Sequence, residues 1–442
     1  MSAGSGERHV VIALCGSAKK KRQSFDKLQR YVEETGRGRG GGGGDGNAHV
    51  TFSFLEMHYD EGQDTFSTVA GMDADVVLHK VSTLPPSAVG ALRRWCAAAS
   101  QRRRRRRLPP VLLVDPMETT RLVLHRSLTY KMLDSRLKRP FCRIPCSWLW
   151  TRDCASLVPL GFSSPGLGDG EATPPPGTAQ RPREKWWIAK PDLSTGPPFT
   201  HHMVIWKGVQ PVSAMPEEVR RLLPAGGSAF VVQEFLSHAL PVVIKVYCIG
   251  RHVFVKAVST TPLLRRVLSE MGGPVFVDSQ SKFPTETGWE KEEACWRSYL
   301  AEGGSAHTQC REIAEVLVQE LGLTLFGFDL LLTPEHGSRQ GSSWPGASAA
   351  SQETSPNAAW LDAPLFDGAT GAPAAPLCSA APVLVDVNYF PGFAGVEDAA
   401  ARVLDVVKSK VLGTPVAQRR HVLEKKLLNC PIAAKEEMEE DT

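Results

Sequence analysis

Apolar positions along this chain fall into short runs bounded by polar or small residues. Val10 to Cys15, within HVVIALCGS, is an unbroken apolar run that leads into the basic stretch AKKKRQSF, the form of a buried strand feeding a loop. ADVVLHK, ending on Lys80, and PPVLLVDP, ending on Asp115 and Pro116, repeat that form with helical signal between them. From Thr119 to Leu137 the spacing of TTRLVLHRSLTYKMLDSRL predicts a helix behind a threonine able to cap it. Alternation of strands and helices predicts an open α/β sheet, whose ligands gather outside the carboxyl ends of the strands, where Lys80 stands. Residues 36–48, 161–184 and 334–381 are rich in Gly, Pro, Ala and Ser and are expected to be flexible or disordered insertions. The C-terminal residues predict a helix, VAQRRHVLEKKLLN, and a solvated acidic tail, KEEMEEDT.

Composition narrows the class. A chain of 442 residues has room for about three domains, and 42% hydrophobic with 22% charged residues excludes a wholly disordered or fibrous protein. No apolar run is long enough to span a membrane and no cleavable leader is visible, so a cytoplasmic protein is expected, with the nucleus as a second location. The 10 cysteines are scattered, and Cys142 and Cys146 lack a matching second pair, so free thiols are preferred to a zinc site or a disulfide framework. A net charge of +4 makes any polyanion binding local. Arg102 to Arg107 is the obvious local run; a solvated loop insertion at 101–108 is preferred to nucleic-acid binding or nuclear targeting, since no aromatic residues interleave it.

Candidate chemistry lies where polar residues interrupt apolar strands. In VLVDVNYFPGF, strand alternation points Asp386 and Asn388 to one face, two oxygen donors of the kind magnesium takes alongside phosphates and water. An ordinary strand-end turn is the alternative. Asp329 interrupts LFGFDLLL, where a buried carboxylate needs a partner or a metal, unless it sits on a solvent-facing edge. Paired as a hairpin across the intervening insertion, the two strands would bring three oxygen donors together. Lys190 in WWIAKP and Lys245 in VVIKVY would each need an anion, for which nucleotide phosphates serve, or would snorkel from a sheet edge. His201 and His202 follow in a glycine-bearing loop suited to covering phosphates, and Gln233 to Leu236 could offer backbone groups to an adenine edge. No phosphate-binding motif of the P-loop or Rossmann type is present near a suitable strand.

In order, LHK ending at Lys80, HRS around Arg126, AKP at Lys190, HHM from His201, VVQEF, IKVYCIG, LFGFD ending at Asp329 and VLVDVNYFPGFAGV resemble the inositol-tetrakisphosphate 1-kinase family, also called inositol 1,3,4-trisphosphate 5/6-kinases. The resemblance covers nearly all the chain outside the insertions. It implies an ATP-grasp fold: an N-terminal open α/β domain at 8–118, a central subdomain at 119–238, a C-terminal subdomain at 239–415, and a helix and tail at 416–442. It further implies ATP contacts from Arg126, Lys190, Gln233, Glu234, Phe235, Leu236, Lys245 and Ser259. Substrate phosphates would meet Lys20, Lys21, Lys80, His201, Lys245, Asn388 and Gly392, with Lys190, Lys245 and His201 acting in catalysis. Asp329, Asp386 and Asn388 would hold two magnesium ions, and the family suggests a monomer.

Two departures stand out. Thr195 and Gly196 occupy the place of the His-Gly usual in relatives, and KAVS leaves Lys256 where an arginine is usual. Both fall on substrate orientation rather than on ATP or metal binding. The implied activity is magnesium-dependent transfer of the ATP γ-phosphate to an inositol phosphate hydroxyl. The competing expectations are an ATP-grasp carboxylate–amine ligase and a non-catalytic inositol phosphate binder.

Overall fold

The computed structural model describes residues 8–35, 50–69, 72–134, 137, 142–154, 156–161, 184–209, 215–269, 273–281, 289–334, 364–368, 370–378 and 380–413. The first sheet contains β1 (Arg8–Cys15), β2 (Val50–Asp60), β3 (Thr65–Thr68), β4 (Val76–His79) and β5 (Leu112–Val114) in the order β3-β2-β1-β4-β5. Its β1, β2, β4 and β5 are parallel, with β3 antiparallel at the edge. β4 is buried along its whole length, which is why its sequence is apolar throughout rather than alternating. The sequence predicts β1, β4 and β5; β2 and β3 add to it, the longer β2 mixing polar and apolar positions because part of it is half-exposed.

The second sheet holds β6 (Ser147–Thr151), β7 (Val158–Pro159), β8 (Lys185–Pro191), β9 (His202–Gly208), β10 (Ala229–Glu234) and β13 (Val275–Asp278) in the order β13-β9-β8-β10-β6-β7. Trp150, Trp187, Trp206 and Phe230 form its core. The third sheet contains β11 (Val242–Ile249), β12 (His252–Ser259), β14 (Leu325–Pro334) and β15 (Ala380–Tyr389), all antiparallel, in the order β12-β11-β14-β15. Along β11, Val242, Ile244, Val246 and Cys248 are buried while Val243, Lys245 and Tyr247 are only half-buried. The buried face packs in one apolar cluster with Ile313 and Leu317 of helix Ser305–Leu321 and with Leu404 and Val407 of helix Ala399–Leu412. The other face is thereby left for the site.

That cluster also takes in Val10, Ile12 and Leu14 of β1, so the first and third sheets share a core. Asp115, fully buried after β5, ties them together by accepting from the backbone N–H groups of Thr324 (2.7 Å) and Leu325 (3.0 Å) and from Lys410 Nζ (2.7 Å). A buried carboxylate is tolerable there because its oxygens are filled by donors and a cation.

Several sequence expectations need correction. The helix expected over Thr119 to Leu137 is two helices, Met117–Leu124 and Arg126–Asp134, broken at His125, whose backbone is extended and bridges to Leu193. Asp192 supplies the second start, its Oδ1 accepting from Ser127 N at 2.8 Å. The arginine run is not a loop insertion: Arg102 to Arg105 end helix Ser87–Arg105, and Arg103 is buried against Asp75 at 2.5 Å. Nor is all of 334–381 an insertion, since Pro334 ends β14 and Ala380 opens β15. Buried Phe366 packs edge-on against Trp296 with ring centroids 5.0 Å apart. The expected insertions at 36–48 and 335–363, most of that at 161–184, and the C-terminal helix and tail lie outside the described residues.

Candidate functional site

The open face of the third sheet carries a row of charge. Lys256, Lys245, Asp329 and Asp386 are direct neighbours across β12, β11, β14 and β15, so all four side chains share one face. Lys245 Nζ meets Asp329 Oδ2 at 2.9 Å. Burial would weaken the Lys245 ammonium, but Asp329 outweighs it and holds the group above its ordinary value. Asp329 itself is pushed up, first by burial and then by the like charge of Asp386, which together exceed the help from Lys245. Burial acts on Asp386 in the same sense, yet the Arg126 guanidinium and Lys190 outweigh it and keep that carboxyl below the usual range.

The β14–β15 hairpin expected from sequence is present, and Asp386 and Asn388 alternate with buried Val387 and Tyr389 as strand geometry requires. Asn388 Nδ2 donates to Asp386 Oδ2 at 3.1 Å. An irregularity beside Asp329 and Leu330 shifts the register between the strands. The carbonyl of Val385, on the bulged strand, accepts from Lys190 Nζ (3.2 Å) and the Tyr130 hydroxyl (2.6 Å). Gln233 Oε1 lies 3.4 Å from the same tyrosine oxygen. Arg126, buried at the start of its helix, donates Nε to Asp386 Oδ1 at 3.3 Å and a terminal nitrogen to the carbonyls of Pro191 and Leu193. Arg126, Lys190, Lys245, Asp329, Asp386 and Asn388, drawn from all parts of the chain after residue 120, therefore meet at one place.

Two neighbouring carboxylates and a carboxamide are hard oxygen donors, and magnesium takes one or two carboxylates when phosphates complete its shell. Among the described residues no group of three His, Cys, Asp or Glu side chains forms a metal cage, so phosphate oxygens would have to supply the remaining ligands. The raised, part-buried Asp329 beside Asp386 is the observation that fits a divalent cation here: a metal between them relieves their repulsion.

Beside the row opens a cleft of about 320 Å³, lined by Lys19, Lys20, Lys80, His201, Lys245 and, on its acidic edge, Asp329, with Asn388 and Gly392 also in its wall. Lys20 and Lys80 are buried to 4% and 6% exposure, without a carboxylate partner among the described residues. Lys20 Nζ donates to the carbonyls of Phe390 (2.7 Å) and Pro391 (3.0 Å) and lies over the Phe390 ring; Lys80 Nζ donates to the carbonyl of Tyr389. Burial lowers both, Lys80 to about 7 and Lys20 well below its ordinary value, the latter with help from Lys80. The loop they grip has Phe390 and Phe393 in the left-handed region at φ 40° and 48°, a conformation that costs a non-glycine residue about 1 kcal/mol or more.

Lys21 does not join them. Consecutive helical residues point about 100° apart, so a helix that turns Lys20 inward turns Lys21 outward, where it pairs with Glu56 at 2.6 Å. His201 lies at the mouth, 2.9 Å from Gln280, which also accepts from Lys19 at 3.2 Å. Its imidazole is lowered by burial and then by Lys19 and Arg126. Ser259 closes β12 and its hydroxyl accepts from Thr261 N at 3.3 Å, starting helix Thr261–Ser269. In the Gln233 to Leu236 segment, the N–H groups of Glu234 and Phe235 donate to the carbonyls of Cys146 and Trp186. Thr195 and Gly196 line the cleft, and Thr195 Oγ1 is buried with no hydrogen-bond partner. The sequence did not single out Lys19, Gln280 or Tyr247; Lys19 alone carried a signal, as a neighbour of Lys20 in a basic stretch.

Residues 188–340 match the family model described as the inositol 1,3,4-trisphosphate 5/6-kinase ATP-grasp domain. This shows the ATP-grasp fold that the sequence implied. No curated protein matched the chain. Among solved structures, D-alanyl-alanine synthetase A from Vibrio cholerae is 10% identical, with 92% of this chain and 99% of that one covered at a TM-score of 0.44. The VanG D-Ala:D-Ser ligase from Enterococcus faecalis is 11% identical, with 92% and 99% covered at a TM-score of 0.41. D-cycloserine synthetase DcsG is 12% identical, with 91% and 99% covered at 0.40. Likenesses this distant carry nothing about the chemistry of this chain.

Proposed function

We propose that this chain, whose residues 188–340 match the model of the inositol 1,3,4-trisphosphate 5/6-kinase ATP-grasp domain, transfers the γ-phosphate of ATP to a hydroxyl of an inositol polyphosphate. The observation that carries the proposal is the junction of two unlike surfaces. The Lys245–Asp329–Asp386 row is suited to metal and nucleotide phosphates, and the adjoining cleft gathers Lys19, Lys20, Lys80 and His201 around a space for a second, strongly anionic molecule. An acceptor with one carboxylate would leave most of that charge unanswered.

In this reading Arg126, Lys190 and Lys245 neutralise the phosphates of ATP, while Asp329, Asp386 and Asn388 hold magnesium. When bound, magnesium supplies charge neutralisation at the transferred group. The acceptor oxygen forms the new bond to the γ-phosphorus and gives up its hydroxyl proton to solvent as the bridging oxygen leaves with ADP. The lysines of the cleft hold the acceptor's existing phosphates, which orients one hydroxyl towards the row, and such positioning supplies most of the catalysis in phosphoryl transfer.

The test is chromatography of products after incubating the purified chain with Mg-ATP and a panel of inositol phosphates. A product with one added phosphate, formed in step with ADP, is expected. No phosphorylated product from any of the panel overturns the kinase, and free phosphate released with amide formation from a carboxylate and an amine identifies a ligase instead.

A further inference from the structure

The arginine run lies far from the cleft. β1 and β4 run parallel with their carboxyl ends at Cys15 and His79, next to Lys20 and Lys80. Helix Ser87–Arg105 returns along the sheet, so Arg102 to Arg107 fall at the opposite end, beside Asp73 and Asp75 that precede β4. Three of the arginines are used there: Arg102 and Arg106 clasp Asp73 at 2.7 and 3.8 Å, and Arg103 is buried on Asp75. Arg104, Arg105 and Arg107 are exposed and have no ion pair among the described residues.

Apolar side chains crowd the same spot. Leu108 follows the run, its N–H donating to the Arg103 carbonyl (3.0 Å) as that of Arg107 does to Arg104 (2.9 Å), the two bonds of a helix-ending Schellman turn. The left-handed position of that turn, usually glycine, is Arg107 at φ 60°. A hydrophobic residue in the place of Leu108 ordinarily packs back on the helix, yet Leu108 is 45% exposed. Met72, which adjoins the clasped Asp73, is 49% exposed, and Val69, whose carbonyl accepts from Met72 N, is 60% exposed. Three of the eight exposed large apolar side chains among the described residues thus lie on the two segments that the Arg102–Asp73 and Arg106–Asp73 pairs join, one of which carries the three unpaired arginines.

We propose that this end of the molecule is a docking surface for an anionic lipid bilayer, on which Arg104, Arg105 and Arg107 meet headgroup phosphates and carboxylates while Val69, Met72 and Leu108 enter the interface. The combination decides the partner. Uncompensated guanidinium groups would serve any polyanion, but exposed aliphatic side chains gain nothing from a nucleic acid backbone and have no rings on which to stack bases. At a bilayer surface both halves contribute, the charge by attraction to anionic lipid and the apolar tips by leaving water. Among the described residues no helix is long and apolar enough to cross a membrane, so the attachment is peripheral and reversible. With the patch at the opposite end of the sheet, a docked molecule leaves its cleft open to the aqueous phase.

The experiment is co-sedimentation of the full chain with phosphatidylcholine vesicles and with phosphatidylcholine vesicles containing phosphatidylserine, across a salt series. Binding to the anionic vesicles alone is expected, weakening with salt. Each arginine near an anionic surface strengthens binding about fivefold, so the triple reversal Arg104→Glu, Arg105→Glu, Arg107→Glu should weaken it at least about a hundredfold. A Val69→Ser, Met72→Ser, Leu108→Ser variant should lose at least about tenfold while keeping its salt dependence. Both variants should melt like the parent and keep its ATP turnover in free solution. The proposal is overturned if the parent does not sediment with anionic vesicles, if it sediments equally with neutral ones, or if either folded variant binds as the parent does. Retention on duplex DNA with no vesicle binding also overturns it.

Discussion

Two sets of lysines flank the site, and they are held in opposite ways. Lys245 stands in a row with Asp329, which answers its charge and keeps it protonated. Lys20 and Lys80 are more deeply buried and, among the described residues, donate only to the backbone carbonyls of Tyr389, Phe390 and Pro391 and lie against a ring face, so burial wins and their ammonium groups weaken. A cation paired within the protein is a fixed part of the machinery; one left with carbonyls alone is waiting for an anion. Under the proposed function the row takes the nucleotide and metal, and the buried pair takes the phosphates of the acceptor.

The widest break in that contrast comes from the row. Asp386→Ala removes the carboxylate that Arg126 and Asn388 converge on and should lower turnover by roughly a thousandfold or more while leaving circular dichroism unchanged. Substantial turnover in that variant would sink the metal assignment. Lys245→Met should lower kcat/KM by roughly a hundredfold and also lower the melting temperature, by about 1 kcal/mol of stability, because Asp329 is left without its partner.

Lys80→Met is the mirror image. Removing a buried cation that has no carboxylate partner among the described residues should raise the melting temperature of the free protein while raising KM for the acceptor about tenfold. A variant less stable than the parent would show that the lysine holds the loop rather than awaiting a ligand. The same group sets a pH dependence. Lys80 titrates near 7 in the folded protein against 10.5 as a free side chain, so in that window the unfolded chain binds the additional proton. Its penalty is therefore complete below about pH 7 and is lifted as pH rises towards the free value, and stability should climb across that interval. Acceptor binding at about pH 8 should take up a proton, read by calorimetry in buffers of different ionisation enthalpy, and Lys80→Met should lose the uptake. The smallest effect belongs to Lys21→Met, whose side chain pairs with Glu56 at the surface: KM and melting temperature should both stay at parental values.

Legibility followed the range of the interactions. Asp329, Asp386 and Asn388 could be read because a polar residue inside an apolar strand is conspicuous and strand alternation settles the face locally. The break at His125 could not, because it depends on Leu193 and Asp192, which are distant in sequence and supply the bridge and the new helix start. Phe366 was lost in a stretch of weak composition, since only contact with Trp296 reveals it as core. Arg103 was hidden in a run of identical residues, and the helix decides which of them faces Asp75.

By itself the sequence determined the strands that are apolar along their length and which of them carry charge inside, properties set by side-chain periodicity over a few residues. The ATP-grasp fold was legible in another way, through the resemblance of an ordered set of short segments to a known family. Only the tertiary structure decided that Lys20 enters the cleft while Lys21 leaves it, that Gln280 joins Lys19 to His201, and that Val385 turns its carbonyl to Lys190 and Tyr130. Each depends on how elements separated by long stretches of chain dock, and the free energy that selects one docking is shared among contacts that no local pattern encodes.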